Sequence, residues 1–529
     1  MRGASSLDDI YDCAIVGAGF GGLGAALALA EQGARVVVFE AFKLPGGCAS
    51  TFVRDGFAFE AGATLFSGLG PRELFGRWNA RHHLGLTFDW LDPVVTLRTP
   101  RFTLPALRDR EAFLQQLCAL PEVPERQVRA FFDEQRRVAD ALWTLFDDPT
   151  LLPPLSLRAL VRHGGRVRQT LALLPLVGRP LGEVLERHCL SRCAPLVAWL
   201  DAVCQITVQC SAAEAEAPFA LGAMDYFWRG TGHVRGGIGA LAWGLLRAVE
   251  RLGGAVRLAD RVQAIESEGE LHRVRARRGS VRARSVVLNL LPGDARRLLQ
   301  ARAADEQPLE DGWGAVMRYL VVDEPPDAPE HAHHVQVIAD DTQPLVEGNH
   351  LFASISGRHD GPRAGPGQRT ITLSTHLRLR PFLALPEPEQ ASKMEQIQAR
   401  LRHTFTQHLP EWAARVRHEL TASPRTFEKF TLRTGGLVGG PPRRAGLGNY
   451  RQLGPLLLAP RVFLVGDSVF PGQSTLATAL GGVRTAEAIL RALSIERRAL
   501  FAPPPDEPVA PFVLPRKVER ERTEPARTP

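Results

Sequence analysis

Three glycines near the start constrain this chain more than any other feature. Gly17, Gly19 and Gly22 stand at G-x-G-x-x-G spacing within YDCAIVGAGFGGLGAALALAEQGARVVVFE. The apolar run just before them, residues 14–16, is short enough for a buried strand. Leu23, Ala26, Leu27 and Ala30 follow at helical intervals, Gly33 closes that helix, and residues 35–40 read as a second buried strand. The spacing gives the three glycines separate roles, which are a tight turn, close approach of backbone to a pyrophosphate, and close packing of helix on strand. The helix then directs its free N–H groups and the positive end of its dipole at the phosphates. Glu40 ends the second strand, where a carboxylate accepts hydrogen bonds from an adenosine ribose. With strand, turn, helix, strand and acid in order, the stretch predicts a dinucleotide-binding βαβ unit.

At 529 residues the chain exceeds one ordinary core, so at least two domains are expected. The net charge of +7 does not predict nucleic-acid binding. The basic residues are scattered among acids, nearly all are arginine, and no basic helix interleaved with aromatics or zinc-finger spacing occurs. A weakly basic surface fits loose attraction to anionic lipid. The seven cysteines form an odd, sparse set, and the short polar start carries no signal peptide, which together predict a reducing cytoplasm. Cys189 and Cys193 read as one helical turn apart, but two thiols alone make no zinc site, and no metal is expected. No run of eighteen apolar residues offers a bilayer span.

Further along, residues 105–227 turn helical, broken by Pro153, Pro154, Pro175 and Pro180. Within them residues 155–178 alternate Leu and Val with Arg158, Arg162, Arg166 and Arg168. That pattern reads first as a surface helix with a solvated basic face, and otherwise as a helix pair lying on a membrane. Nucleotide-fold signals return at 228–300: Gly236-Gly237, a helix over 238–252, strands at 255–258 and 262–266, and a hairpin ending in SVVLNLLP. Alternating apolar residues predict strands near 316–322, 334–338, 351–355 and 370–375, and a helix over 394–409, within a second domain spanning 301–454. His331, His333 and His334 read as a solvated turn. Residues 455–498 return once more to strand, turn and helix, and 499–529 are Pro-rich and charged, predicting a disordered tail. The expected class is therefore α/β: a discontinuous Rossmann-type domain built from 8–104, 228–300 and 455–498, with an antiparallel-sheet substrate domain.

The late segment carries chemistry too. Residues 462–465 are a buried strand, Gly466-Asp467 turns at its end, and PGQS precedes a helix. Asp467 is placed to accept hydrogen bonds from a ribityl chain, and the helix N-terminus to face the flavin N1–C2=O edge, where charge develops on reduction. Taken together, GAGFGG with Glu40, PGGCASTF, GFAFEAGATLF, GHVRGGIGAL and VGDSVFPGQSTLATALGG resemble the phytoene desaturase and carotenoid isomerase family, most closely its carotenoid C-3′,4′ desaturases. The resemblance implies FAD contacts at Gly17, Gly19, Gly22, Glu40, Gly46, Gly47, Val262 (backbone to adenine), Gly466 and Asp467. Two departures stand out: Cys48-Ala49 where many relatives carry Arg, and His233-Val234-Arg235 where many carry Tyr-Pro.

The implied activity is desaturation of a carotenoid or similar polyene, with cis–trans isomerisation or saturation on the same scaffold as the alternative. A flavin-free prenyl-protein-binding scaffold is the remote one, opposed by the presence of Glu40 and Asp467. A polyene substrate implies peripheral contact with the inner face of a membrane. For polar participants the stretch QCSAAEAEAPFALGAMDYFWRGTGHVRGG offers Glu216, Asp225, Arg229 and His233 at a domain junction, where ligands tend to bind.

Overall fold

The computed structural model describes residues 10–147, 173–299, 311–361 and 363–495. Its organising layer is a parallel sheet in which strands Ala255–Arg257, Val36–Phe39, Ile10–Val16, Gly279–Leu288 and Val462–Leu464 lie side by side. Three remote stretches of sequence thus meet in one sheet. The antiparallel hairpin Val262–Glu268/Leu271–Ala276 extends the other half of the long fourth strand. Alternate residues feed two separate cores, Ile15, Val36 and Val38 one, Ala14, Val37 and Phe39 the other. A sheet covered on both faces needs unbroken apolar runs, which is why these strands read as they do.

Helix Phe20–Glu31 packs against the last helix, Thr475–Ala492, backbone to backbone. A Cβ on Gly24 would lie 2.5 Å from the Ala479 carbonyl oxygen, and one on Gly482 would lie 2.1 Å from that of Gly21. Small residues on both sides therefore fix the C-terminal segment against the first glycine turn.

A second sheet runs in the order Val416–Ala422, Trp313–Asp323, Gln368–Arg378, His350–Ile355, His333–Ile338, Val95–Arg98 and Thr103–Ala106. The four strands expected from alternation are all present. The edge pair corrects the expected boundary at 104: Val95–Arg98 pairs in parallel with His333–Ile338, so this hairpin belongs to the second sheet and not to the cofactor domain. Helix Glu387–His408, longer than expected at its start, covers one face with Leu401 and Phe405. Helices Arg110–Cys118, Glu125–Asp147, Leu181–Arg187, Ala194–Thr207 and Ala217–Met224 pack on the other side. The expected basic helix at 155–178 falls largely outside the described residues, its described end being a run of turns over 173–178. The expected tail at 499–529 falls outside them entirely.

Two local expectations are corrected. Cys189 does not share a helix with Cys193: it sits in left-handed backbone (φ +57) beyond the end of Leu181–Arg187, while buried Cys193 caps the next helix. Nor are all three histidines a solvated turn: His331 is an exposed bend, as expected, but the other two are not. His333 and His334 begin a strand, and His334 is buried with its ring against Phe352, centroids 5.6 Å apart. Burial holds His334 far below the usual histidine range and His350 at about 3. Both are therefore neutral when folded, whereas the unfolded chain protonates them below about pH 6.5. Their contribution to stability is present above that pH and is lost as pH falls toward the folded values. His350→Gln is accordingly expected to shrink the loss of unfolding free energy between pH 7 and pH 5 by about 2 kcal/mol, read from urea titrations. An unchanged loss would contradict a neutral buried His350.

Candidate cofactor and substrate site

One cavity of about 1790 Å³ touches all three cofactor segments. Gly17, Gly19, Glu40, Gly46, Gly47, Val262, Gly466 and Asp467 line it. Gly22 does not; it lies beneath the turn, where a Cβ would sit 2.1 Å from the Gly17 carbonyl oxygen. That is the packing role its position in the spacing assigns. Gly17 (φ +98) and Gly466 (φ +118) both turn in left-handed backbone, so each strand can end abruptly at the cavity.

Glu40 is buried at the end of its strand. Its carboxylate accepts from the Ala18 N–H (2.8 Å) and the Phe42 N–H (3.0 Å), tying the second strand to the glycine turn. Burial pushes its pKa up while these bonds draw it back. Two carboxylate oxygens keep further lone pairs for a ribose beyond those two bonds.

Two lining residues escaped sequence reasoning. Asn289 directly follows strand Gly279–Leu288, and its side chain forms the floor between the first and third segments. A Cβ on Gly19 would meet its Nδ2 at 2.5 Å, and one on Gly21 would meet its Oδ1 at 2.7 Å. Its place at the carboxyl end of a parallel strand was the available signal. Arg433 pairs with Asp467 at 2.9 Å and donates to the carbonyls of Leu437 (2.7 Å) and Gly439 (2.8 Å). Burial would lower its pKa, but the Asp467 carboxylate overrides this and holds it above the usual arginine value. It also brings a guanidinium near Cys48.

The last helix begins at this cavity. Ser474 caps it by accepting from the Ala477 N–H (3.0 Å). The Thr475 hydroxyl is buried in the lining and has no partner. These features fit a flavin dinucleotide: a backbone cradle open only because its glycines lack side chains, an acid at the ribose position, and an unsatisfied hydroxyl at a helix N-terminus. No grouping of three or more His, Cys, Asp or Glu that could hold a metal occurs among the described residues.

Beyond the cradle the cavity continues between the second sheet and the helices. This arm is walled by such residues as Leu142, Leu173, Ile206, Phe219, Met317 and Phe352. Its phenols are already engaged: Tyr226 donates to the Leu65 carbonyl (2.7 Å), Tyr319 to that of Ala61 (2.6 Å) and Tyr450 to the Glu216 carboxylate (2.5 Å).

None of the four polar candidates from the sequence lines the cavity. Glu216 caps helix Ala217–Met224, accepting from the Phe219 N–H (3.1 Å) and the Gly178 N–H (2.9 Å). Asp225 is clasped by Arg110 and Arg229, and Arg229 also reaches Asp140 (2.6 Å). His233 pairs with Asp360 at 2.8 Å, which in turn holds Arg363 at 2.8 Å and accepts from the Gly236 N–H (2.6 Å). Asp360 holds the pKa of His233 up against burial, and its own is drawn down to about 2. His233 and Glu216 thus tie remote segments together through Asp360 and Tyr450, whereas Asp225 and Arg229 pair within the helical layer.

The arrangement has counterparts. Residues 15–79 match the NAD(P)-binding Rossmann-like domain family. The chain is 24% identical over 520 residues to prolycopene isomerase from Arabidopsis thaliana, covering 93% of this chain and 84% of that protein. It is 27% identical over 533 residues to hydroxyneurosporene desaturase from Cereibacter sphaeroides, covering 92% and 98% respectively. The structure of cyclohexylamine oxidase from Brevibacterium oxydans superposes with a TM-score of 0.56 at 16% identity, covering 92% of this chain and all (100%) of that one. The likeness to that structure is one of fold.

Proposed function

We infer that this chain is an FAD-dependent oxidoreductase of the carotenoid desaturase and isomerase family, and that it introduces a double bond into a carotenoid or similar polyene. The observation that carries this reading is the continuity of one cavity from a glycine-lined dinucleotide cradle into an apolar arm. When bound, FAD supplies acceptance of a hydride from an allylic carbon. The chain's own residues do the rest. Gly17, Gly19 and Gly466 let backbone approach the pyrophosphate, Glu40 takes the ribose, and Asp467, steadied by Arg433, takes the ribityl chain. The N-terminus of Thr475–Ala492 offers N–H donors to the ring edge where negative charge builds. The apolar wall holds the polyene by shape and excludes water.

Isomerisation on the same scaffold is the second reading, favoured by the similarity to prolycopene isomerase. Anaerobic mixing of the FAD-loaded protein with an acyclic carotene separates the two. Desaturation bleaches the flavin and moves the carotene absorption to longer wavelength; isomerisation requires reduced flavin and leaves the number of double bonds unchanged. No spectral change under either redox state would remove both readings.

A membrane-stored substrate needs an entrance. Leu174 and Leu447 are 62% and 68% exposed, Leu447 packs beside Gly178, and Leu173 and Val177 of the same turn line the arm. No helix among the described residues is long and apolar enough to cross a membrane. Contact would therefore be peripheral, with these leucines in the lipid interface. Leu447→Asp is expected to weaken co-sedimentation with anionic vesicles several-fold, and an unaltered profile counts against this entrance.

A further inference from the structure

We propose that His376 is the proton acceptor of the reaction, its Nε2 taking the proton from the polyene carbon next to the one that gives up hydride. The proposal deepens the desaturase reading above and rests on it.

His376 lies on strand Gln368–Arg378, opposite Ala315. With Ser374, Ala315, Met317 and Phe352 it forms the sheet wall of the apolar arm. A short relay of contacts ties it to the cofactor end. The Trp313 ring stands edge-on to it, centroids 6.3 Å apart, and the indole N–H donates to the Gln209 carbonyl at 2.9 Å. The Gln209 carboxamide abuts Gly439, where a Cβ would come within 2.1 Å of its Nε2. The Gly439 carbonyl accepts from Arg433, which holds Asp467. Gln209 itself is in left-handed backbone (φ +59), the kind of strain that collects where side chains must be aimed.

The imidazole is half-buried. Its Nδ1 is enclosed without a partner, and the residue keeps partial exposure on the cavity wall. Burial keeps its pKa near 4, so the ring is neutral at ordinary pH. The proposed role uses the tautomer with Nδ1 protonated and the Nε2 lone pair free. The other ionisable groups on the arm are committed. The three phenols are bonded donors with pKa values pushed up by burial. Glu419 is paired with Arg318, and Asp467 with Arg433. Among the described residues His376 is left as the base.

So weak a base could not deprotonate a resting hydrocarbon. It suffices once hydride begins to leave, because the neighbouring C–H then becomes strongly acidic. With FAD bound, one C–H bond would give up both its electrons and its hydrogen to the oxidised flavin. The adjacent C–H gives its proton to Nε2, and its electron pair becomes the new C=C bond. The imidazolium, disfavoured by burial, passes the proton on to water that enters once the product has left.

The test compares wild type with His376→Gln, which keeps polarity but no basic nitrogen. FAD affinity by fluorescence titration should be unchanged, since His376 is not in the cradle. The rate of anaerobic flavin bleaching by an acyclic carotene should fall about 100-fold or more, and imidazole should partly restore it in His376→Gly. Diethyl pyrocarbonate should label His376 in the free protein, read by peptide mass spectrometry, and bound polyene should block the label. Undiminished bleaching in His376→Gln, or labelling that polyene does not block, overturns the proposal alone. A wild-type flavin that no polyene reduces overturns the reaction reading and the proposal with it.

Discussion

Gly22→Ala is expected to yield a protein that no longer retains flavin, with FAD affinity reduced on the order of 100-fold or more, about 2.7 kcal/mol. The new methyl group would lie 2.1 Å from the Gly17 carbonyl oxygen and 3.1 Å from the Ile15 Cγ2. A carbonyl in the turn that forms the cradle cannot rotate away, so the helix must lift from the strand and carry its N–H groups off target. Gly19→Ala makes an informative contrast. Its Cβ would meet only the tip of the Asn289 side chain, which can swing aside, so the fold should hold while FAD affinity still falls, because the methyl stands where backbone approaches the pyrophosphate. Fluorescence quenching of FAD measures both. Equal affinities for Gly22→Ala and wild type would mean that this turn does not shape the cofactor site.

Arg433→Ala is the second large effect. It leaves the Asp467 carboxylate half-buried without its guanidinium and also strips a donor from the carbonyls of Leu437 and Gly439. Removing one partner of a buried pair costs about 3 kcal/mol or more, which urea titration of the cofactor-free protein would read. Arg433→Ala with Asp467→Asn should recover part of that, because the stranded charge is then gone. A double variant no more stable than Arg433→Ala would show that the loss came from the carbonyl contacts and not from the ion pair.

Much of the frame was legible because its signals are local. The glycine spacing, the buried runs at 14–16 and 462–465 and the alternation at 316–322 are each fixed by a few neighbouring residues, and each became the expected element. What the sequence hid depends on remote partners. Asp225 looked available because its clasp, Arg110, comes from a different helix. Arg433 lies in a short irregular stretch and matters only because the chain returns to set Asp467 beside it. The hairpin Val95–Arg98/Thr103–Ala106 joins the second sheet through a parallel pairing with His333–Ile338 that no periodicity within it announces. His334 is polar in composition yet buried, since the strand it begins is covered on both faces. His376 sits in the alternating run T-I-T-L-S-T-H, where it reads as one more strand residue until the facing wall is known.

The proposed chemistry depends throughout on three distant segments folding into one flavin cradle. The decisive experiment is the visible absorbance of the purified chain after incubation with FAD and removal of unbound cofactor. A yellow protein carrying one flavin per chain is the expected result. A colourless protein that stays so at saturating FAD would mean that the segments form no such cradle.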